Sequence, residues 1–196
     1  MSKKIIGDVM LKRLYLRKLP EILRDLIIDG KFSCSDNNLL SLENSPLKVT
    51  DAFYCNYNKL ITLKGCTQFV GGFACNETNI TSLEGCPQDV ITFFNCNNNR
   101  LTSLVGAPKR IYGYFECGEN NLTSLIGAPE YVGGNFNCGQ NKLTSLEGCP
   151  KYVGGDFFCR NNGVQFSEKQ IRAVCDVKGS IFSVDVLYNR DWWYQK

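Results

Sequence analysis

Seven times between residues 32 and 159, a phenylalanine stands two positions before a cysteine: FSC, FYC, FAC, FNC, FEC, FNC and FFC. The phenylalanines are Phe32, Phe53, Phe73, Phe94, Phe115, Phe136 and Phe157, at intervals of 21, 20, 21, 21, 21 and 21 residues. Other slots keep the same step. Three residues after each Cys comes Asn37, Asn58, Thr78, Asn99, Asn120, Asn141 or Asn162. Five after comes Leu39, Leu60, Ile80, Leu101, Leu122, Leu143 or Val164, and eight after comes Leu42, Leu63, Leu83, Leu104, Leu125 or Leu146. Four before the next Phe stands Val49, Val90, Ile111, Val132 or Val153. A fixed period of this length marks a solenoid.

Residues two apart on a strand share a face, so Phe and Cys of each coil point the same way. One short strand per coil then stacks into a parallel sheet with a Phe column beside a Cys column. Asn at the bend can bridge backbone groups of adjacent coils as an internal ladder. The Leu and Val/Ile columns complete the core, and turns such as EGCP and IGAP return the chain. So short a coil leaves little room for helix. Thr78 breaks the Asn series beside the one 20-residue interval, which predicts a distorted ladder around the third coil.

The eleven cysteines invite a chemical reading that the repeat answers. Seven occupy a core column, where Cys behaves as a small hydrophobe. Cys66, Cys86 and Cys149 share a turn slot with Ala107, Ala128 and Ser45, which asks for smallness rather than a thiol. No CxxC pair exists and there is no histidine, so no metal site, His-dependent triad or cofactor is expected. The Gly-Gly pairs at 71–72, 133–134 and 154–155 read as repeat turns, not phosphate cradles, and no catalytic residue is assigned. The N-terminus starts basic but lacks a continuous apolar segment and cleavage site, so no secretory signal is read. Reduced thiols in a cytoplasm are the expectation. No apolar run approaches the roughly 18 residues of a membrane span. A net charge of +3 and a pI of about 8.2 are too mild to imply a nucleic-acid partner.

The pattern F-x-C-x-x-N-x-L-x-S-L resembles the leucine-rich repeat, with Phe and Cys in its first two Leu slots. Its short coil is similar to the bacterial class found in type III secreted effectors. The style of GCPKYVGGDFFC is similar to small repeat proteins of large tailed bacteriophages. The resemblance implies an α/β-type solenoid: a horseshoe with a concave parallel sheet of about seven strands and a mostly irregular convex side. It also implies a protein-binding module without catalysis, since the roughly 30 residues after the repeats are too few for an effector's catalytic domain. The phage style implies a modulator or inhibitor of a host defence protein, acting in the host cytoplasm. Two alternatives stand beside this: a self-assembling structural protein, and the recognition module of an effector lacking its catalytic domain.

Three regions are expected: an N-terminal cap at 1–27, the solenoid at 28–166, and a C-terminal cap with an aromatic tail at 167–196. Leu19, Ile22, Leu23, Leu26 and Ile27 fall on one face of a helix, after a less regular element from Val9 to Arg17. Ser167 and Gln170 have capping-box spacing, Phe166 can staple onto Ile171, and Val174 and Cys175 extend the buried side of a short helix. Phe182, Val184, Val186 and Tyr188 alternate as a strand. Trp192, Trp193 and Tyr194 are either packed on the cap or a self-association patch.

Function is expected on the outer face of the strands. Five aromatics, Tyr54, Tyr57, Phe93, Tyr114 and Phe158, fall in outward slots. Lys31 and Arg160 face Asp36, Glu77, Glu116, Glu119 and Asp156 there, a net charge of −3 on a protein that is basic overall. Aromatic anchors in a polar surround suit a protein partner, and acidity suits one with a basic patch. The candidate partner-binding residues are Tyr54, Tyr57, Glu77, Phe93, Tyr114, Glu116, Glu119 and Phe158. Mutual cover of neighbouring aromatics is the alternative.

Overall fold

The repeat positions pair as the period requires. The computed structural model describes residues 3–184 and shows a parallel β-solenoid of about nine turns. Phe32, Phe53, Phe73, Phe94, Phe115, Phe136 and Phe157 align directly across neighbouring strands. All seven are fully buried, and successive ring centres lie 4.9–5.9 Å apart. The repeat runs further than Phe-x-Cys reaches. Val9–Met10 pairs with Phe32–Ser33 at one end, and Ile181–Phe182 pairs with Phe157–Phe158 at the other. Val9 and Ile181 thus take the Phe slot in two terminal coils.

The N-terminal helix is not formed. Glu21–Asp25 is a short 3₁₀ turn, and Leu26–Asp29 is a strand between Lys3–Ile6 and Lys48–Val49. The pairing places Ile28 in the core over Val49 while Ile22 stays 69% exposed, which the helical reading would have buried. The element expected over Val9–Arg17 is the two-residue strand Val9–Met10. Residues 3–27 therefore form another coil, with Val9, Leu11, Leu16 and Leu19 packed into the core.

The Val/Ile column, on the side expected to be irregular, is itself a ladder. Ile5, Ile28, Val49, Val70 and Val90 align in the first sheet, while Ile111, Val132, Val153 and Val177 align in a separate four-stranded parallel sheet. The 20-residue coil is also localised. The register shifts between Val49 and Ala52, where Val70-Gly-Gly-Phe73 has one residue fewer than Val49-Thr-Asp-Ala-Phe53.

The asparagine ladder forms as the spacing predicts. Asn120 Nδ2 donates to the carbonyls of Cys96 (3.0 Å), Cys117 (3.2 Å) and Gly118 (3.0 Å), while Oδ1 accepts from Leu101 N (2.9 Å). Asn37 extends the ladder to the first coil through Leu11 O, Leu14 N and Leu16 N. Thr78 bonds only Cys75 O and Asn99 Oδ1, so the rung toward Cys55 O and Leu60 N is missing. The bend carries strain. Asp36, Tyr57, Glu77, Asn98, Glu119, Gln140 and Asn161, each just before the ladder residue, have φ of 52–57°. That left-handed conformation costs a non-glycine residue about 1 kcal/mol and is repaid by aiming the next side chain inward. The column thiols do more than fill space. Cys55, Cys96 and Cys117 each donate to the carbonyl between Phe and Cys of the next coil, at 3.3 Å. Burial pushes the Cys55, Cys75, Cys117 and Cys138 thiols far above their ordinary range.

At the C-terminal side the helix Glu168–Arg172 has the capping box: Ser167 Oγ accepts from Gln170 N, and the Gln170 side chain accepts from Ser167 N. Ser167→Ala is expected to lower stability by about 1 kcal/mol, readable as a shifted urea midpoint with an unchanged slope. Phe166, Ile171 and Cys175 are buried as expected. Val174 is not: it is 50% exposed, because the helix ends at Arg172 and the chain turns into Asp176–Val177. Val164 is also 41% exposed, since its coil is followed by this helix rather than another Leu column. In the last strand Ile181 takes the Phe slot, while Phe182 joins the outward column of Phe158. Val186, Tyr188, Trp192, Trp193 and Tyr194 lie outside the described residues.

Candidate binding face

The outward column of the Phe strands runs Ser33, Tyr54, Ala74, Asn95, Glu116, Asn137, Phe158 and Phe182. The slot before each Phe adds Ala52, Gly72, Phe93 and Tyr114. The small residues are what let the aromatics meet. Ala52, Gly72 and Ala74 are buried, and a Cβ on Gly72 would collide with the Phe93 ring. Phe93 thus leans across the Phe73 coil. Its ring centre lies 6.2 Å from Tyr54 and 5.0 Å from Tyr114, stacked on the latter at 10°. The three rings form one row, ending in a Tyr114 that is 39% exposed.

Glu116 sits beside this row in an amide chain. Its Oε2 accepts from Asn97 Nδ2 (3.1 Å) and Asn137 Nδ2 (2.8 Å). Those amides are fixed in turn, Asn97 Oδ1 by Gly118 N (2.6 Å) and Asn137 Oδ1 by Gly139 N (2.9 Å). A carboxylate held from both sides loses little further freedom on meeting a cation. Partial burial, with Tyr54 and Glu116 nearby, pushes the Tyr114 phenol above its ordinary range.

The eight expected residues do not make one surface. Tyr54, Phe93, Tyr114 and Glu116 come together. Tyr57 and Glu77 pair separately at the bend, where the hydrogen bond to Glu77 and its charge push the Tyr57 phenol up. Glu119 is exposed on its own left-handed bend. Phe158 belongs to the far end, stacked on Phe182 at 4.7 Å and 6°, with the Arg160 guanidinium 5.1 Å from the Phe182 ring centre. Mutual cover of aromatics is therefore real in both clusters.

Two features escaped sequence reasoning. Phe182 needed the alignment of Ile181-Phe182 with Phe157-Phe158, hidden by a longer spacing. The second ladder also carries an aromatic row: Tyr131 stacks on Tyr152 at 4.9 Å and 3°, Tyr112 meets Tyr131 edge-on at 6.1 Å, Arg110 lies over the Tyr131 ring and Lys178 over the Tyr152 ring. The signal was the residue before each Val or Ile of that column, Arg110, Tyr131 and Tyr152, with Tyr112 following its Ile. Among the described residues no group of three metal-ligating side chains forms, and no helix is long and apolar enough to cross a membrane. No protein-family model, curated protein or solved structure matches the chain.

Proposed function

We propose that this chain is a non-catalytic protein-binding module of leucine-rich-repeat type, with the Phe-column sheet lining the inner curve of a horseshoe. The partner docks on the Tyr54–Phe93–Tyr114 row and presents a basic group to Glu116. The supporting observation is that stacked row beside a carboxylate already oriented by two amides. Rigid aromatics next to a fixed charge are the composition of an interface hot spot. In the concrete version the protein is phage-encoded, works in a bacterial cytoplasm and modulates a host defence protein. Assembly through the 191–196 tail is the competing reading; a stable oligomer in sedimentation that is lost on deleting that tail would favour it.

The test is affinity capture from bacterial lysate, read by mass spectrometry. The bait is the native chain beside a variant carrying Tyr54→Ala, Tyr114→Ala and Glu116→Ala, its folding checked by circular dichroism. Retention of the partner is expected to fall about thirtyfold, the loss of one hot spot of roughly 2 kcal/mol. Equal retention by both baits moves the site off this face.

A further inference from the structure

The parallel register of Tyr152–Val153 with Asp176–Val177 brings the residues just before those strands together. Asp176 N donates to Lys151 O at 2.9 Å, and the Cys149 and Cys175 side chains share a hydrogen bond. Every other thiol with a described donor bond gives its proton to a main-chain carbonyl: Cys34 to Tyr54, Cys55 to Ala74, Cys86 to Gly106, Cys96 to Glu116 and Cys117 to Asn137. Cys149 occupies a turn slot filled elsewhere by Ala107 and Ala128, so packing does not require its sulfur. Its partner Cys175 replaces the next turn, held by a bond from its N to Ile171 O at the end of the helix.

We propose that Cys149 and Cys175 are a redox-active dithiol, oxidised by a small hydroperoxide to a disulfide that staples the last coil to the solenoid. The two sulfurs have different roles. The bond from Cys149 favours the thiolate of Cys175, and the Arg172 guanidinium adds to this against burial and Asp176. The same shared bond, with burial and the neighbouring Cys138 and Cys159, keeps the Cys149 proton in place. A surface hollow lined by Arg172, Ala173, Val174, Cys175, Asp176 and Val177 gives a small oxidant a route in, and Cys149 is only half-buried.

In the first step the Cys175 thiolate attacks hydrogen peroxide. The S–O bond forms, the O–O bond breaks, and the departing hydroxide takes a proton from solvent to leave as water. In the second step the Cys149 sulfur attacks the Cys175 sulfenic acid. The S–S bond forms, the S–O bond breaks, and the leaving hydroxide takes the Cys149 proton. Two thiols lose two electrons, and one peroxide becomes two waters. Sulfurs already in contact need little movement to reach bonding distance. Closing a loop of this length removes freedom mainly from the unfolded chain.

The test treats the full native chain with one equivalent of hydrogen peroxide. The expected result is loss of two of its eleven free thiols, a mass lower by two hydrogens, and a Cys149–Cys175 linked peptide after digestion. The melting temperature should rise by about 10 °C and return on reduction with a dithiol. Cys149→Ala, which the Ala-bearing slots show to be compatible with the turn, should stop at a Cys175 sulfenic acid trapped by dimedone, with no rise in melting temperature. A native chain that keeps all its thiols, or links other cysteines, overturns the proposal. So does a Cys149→Ala chain that still gains stability on oxidation.

Discussion

Asn120→Ala is expected to cost the solenoid about 4 kcal/mol, seen as a lower urea midpoint at constant slope. The losses are unequal. The Cys96 carbonyl keeps a bond from Asn99 and the Cys117 carbonyl keeps one from Asn141, while Gly118 O still accepts from Asn98 N. Three bonds of roughly 1 kcal/mol therefore vanish without leaving an orphan. Leu101 N is different: its only described acceptor is Asn120 Oδ1, and the site is buried, so its amide is stranded at a cost of about 1–3 kcal/mol. The protein contains its own partial control. Thr78 already lacks this rung, so Thr78→Asn should raise stability by about 1 kcal/mol by supplying an acceptor to Leu60 N. If Asn120→Ala shifts the midpoint no more than a surface substitution, the ladder is not what holds the coils in register.

That ladder was legible because the repeat is local and redundant: seven Phe-x-Cys strands point to one stacking direction whatever any single coil prefers. The terminal coils were harder. Val9 and Leu11 stand in place of Phe and Cys, Leu14 falls in the Asn slot, and Val9 precedes Phe32 by 23 residues rather than 21. Leu19, Ile22, Leu23, Leu26 and Ile27 happen to match a helical stripe, and parallel pairing of Leu26–Asp29 with strands on both sides overrides it. The capping box at Ser167 was readable for the opposite reason, since all its partners lie within four residues.

The binding face divides in the same way. Alternation along each strand shows which slots face outward, so Tyr54, Tyr114 and Glu116 could be named. Their contacts depend on residues about 20 positions away in each direction. The lean of Phe93 over Gly72 and the clamp of Asn97 and Asn137 on Glu116 follow from register and local size, not from any motif. Phe158 shows the limit: its slot was right, but its neighbours are Phe182 and Arg160 rather than the central row.

Phe115→Ala is expected to lose about 3–5 kcal/mol and to weaken cooperativity as well as stability. Its ring is fully buried and stacks on Phe94 at 5.4 Å and on Phe136 at 5.9 Å, so truncation weakens two inter-coil interfaces together. In a quasi-one-dimensional stack each coil is stabilised chiefly by its neighbours. A weak central pair should let the N-terminal and C-terminal halves open separately, giving a shallower urea transition and earlier amide exchange on both sides of the Phe115 coil. Ile181→Ala touches the described stack on one side only, through Phe157, and should cost roughly half as much with the slope unchanged. Equal losses with equal slopes would mean that the stack unfolds as one body. The aromatic column would then act as a continuous core rather than as a chain of pairwise contacts.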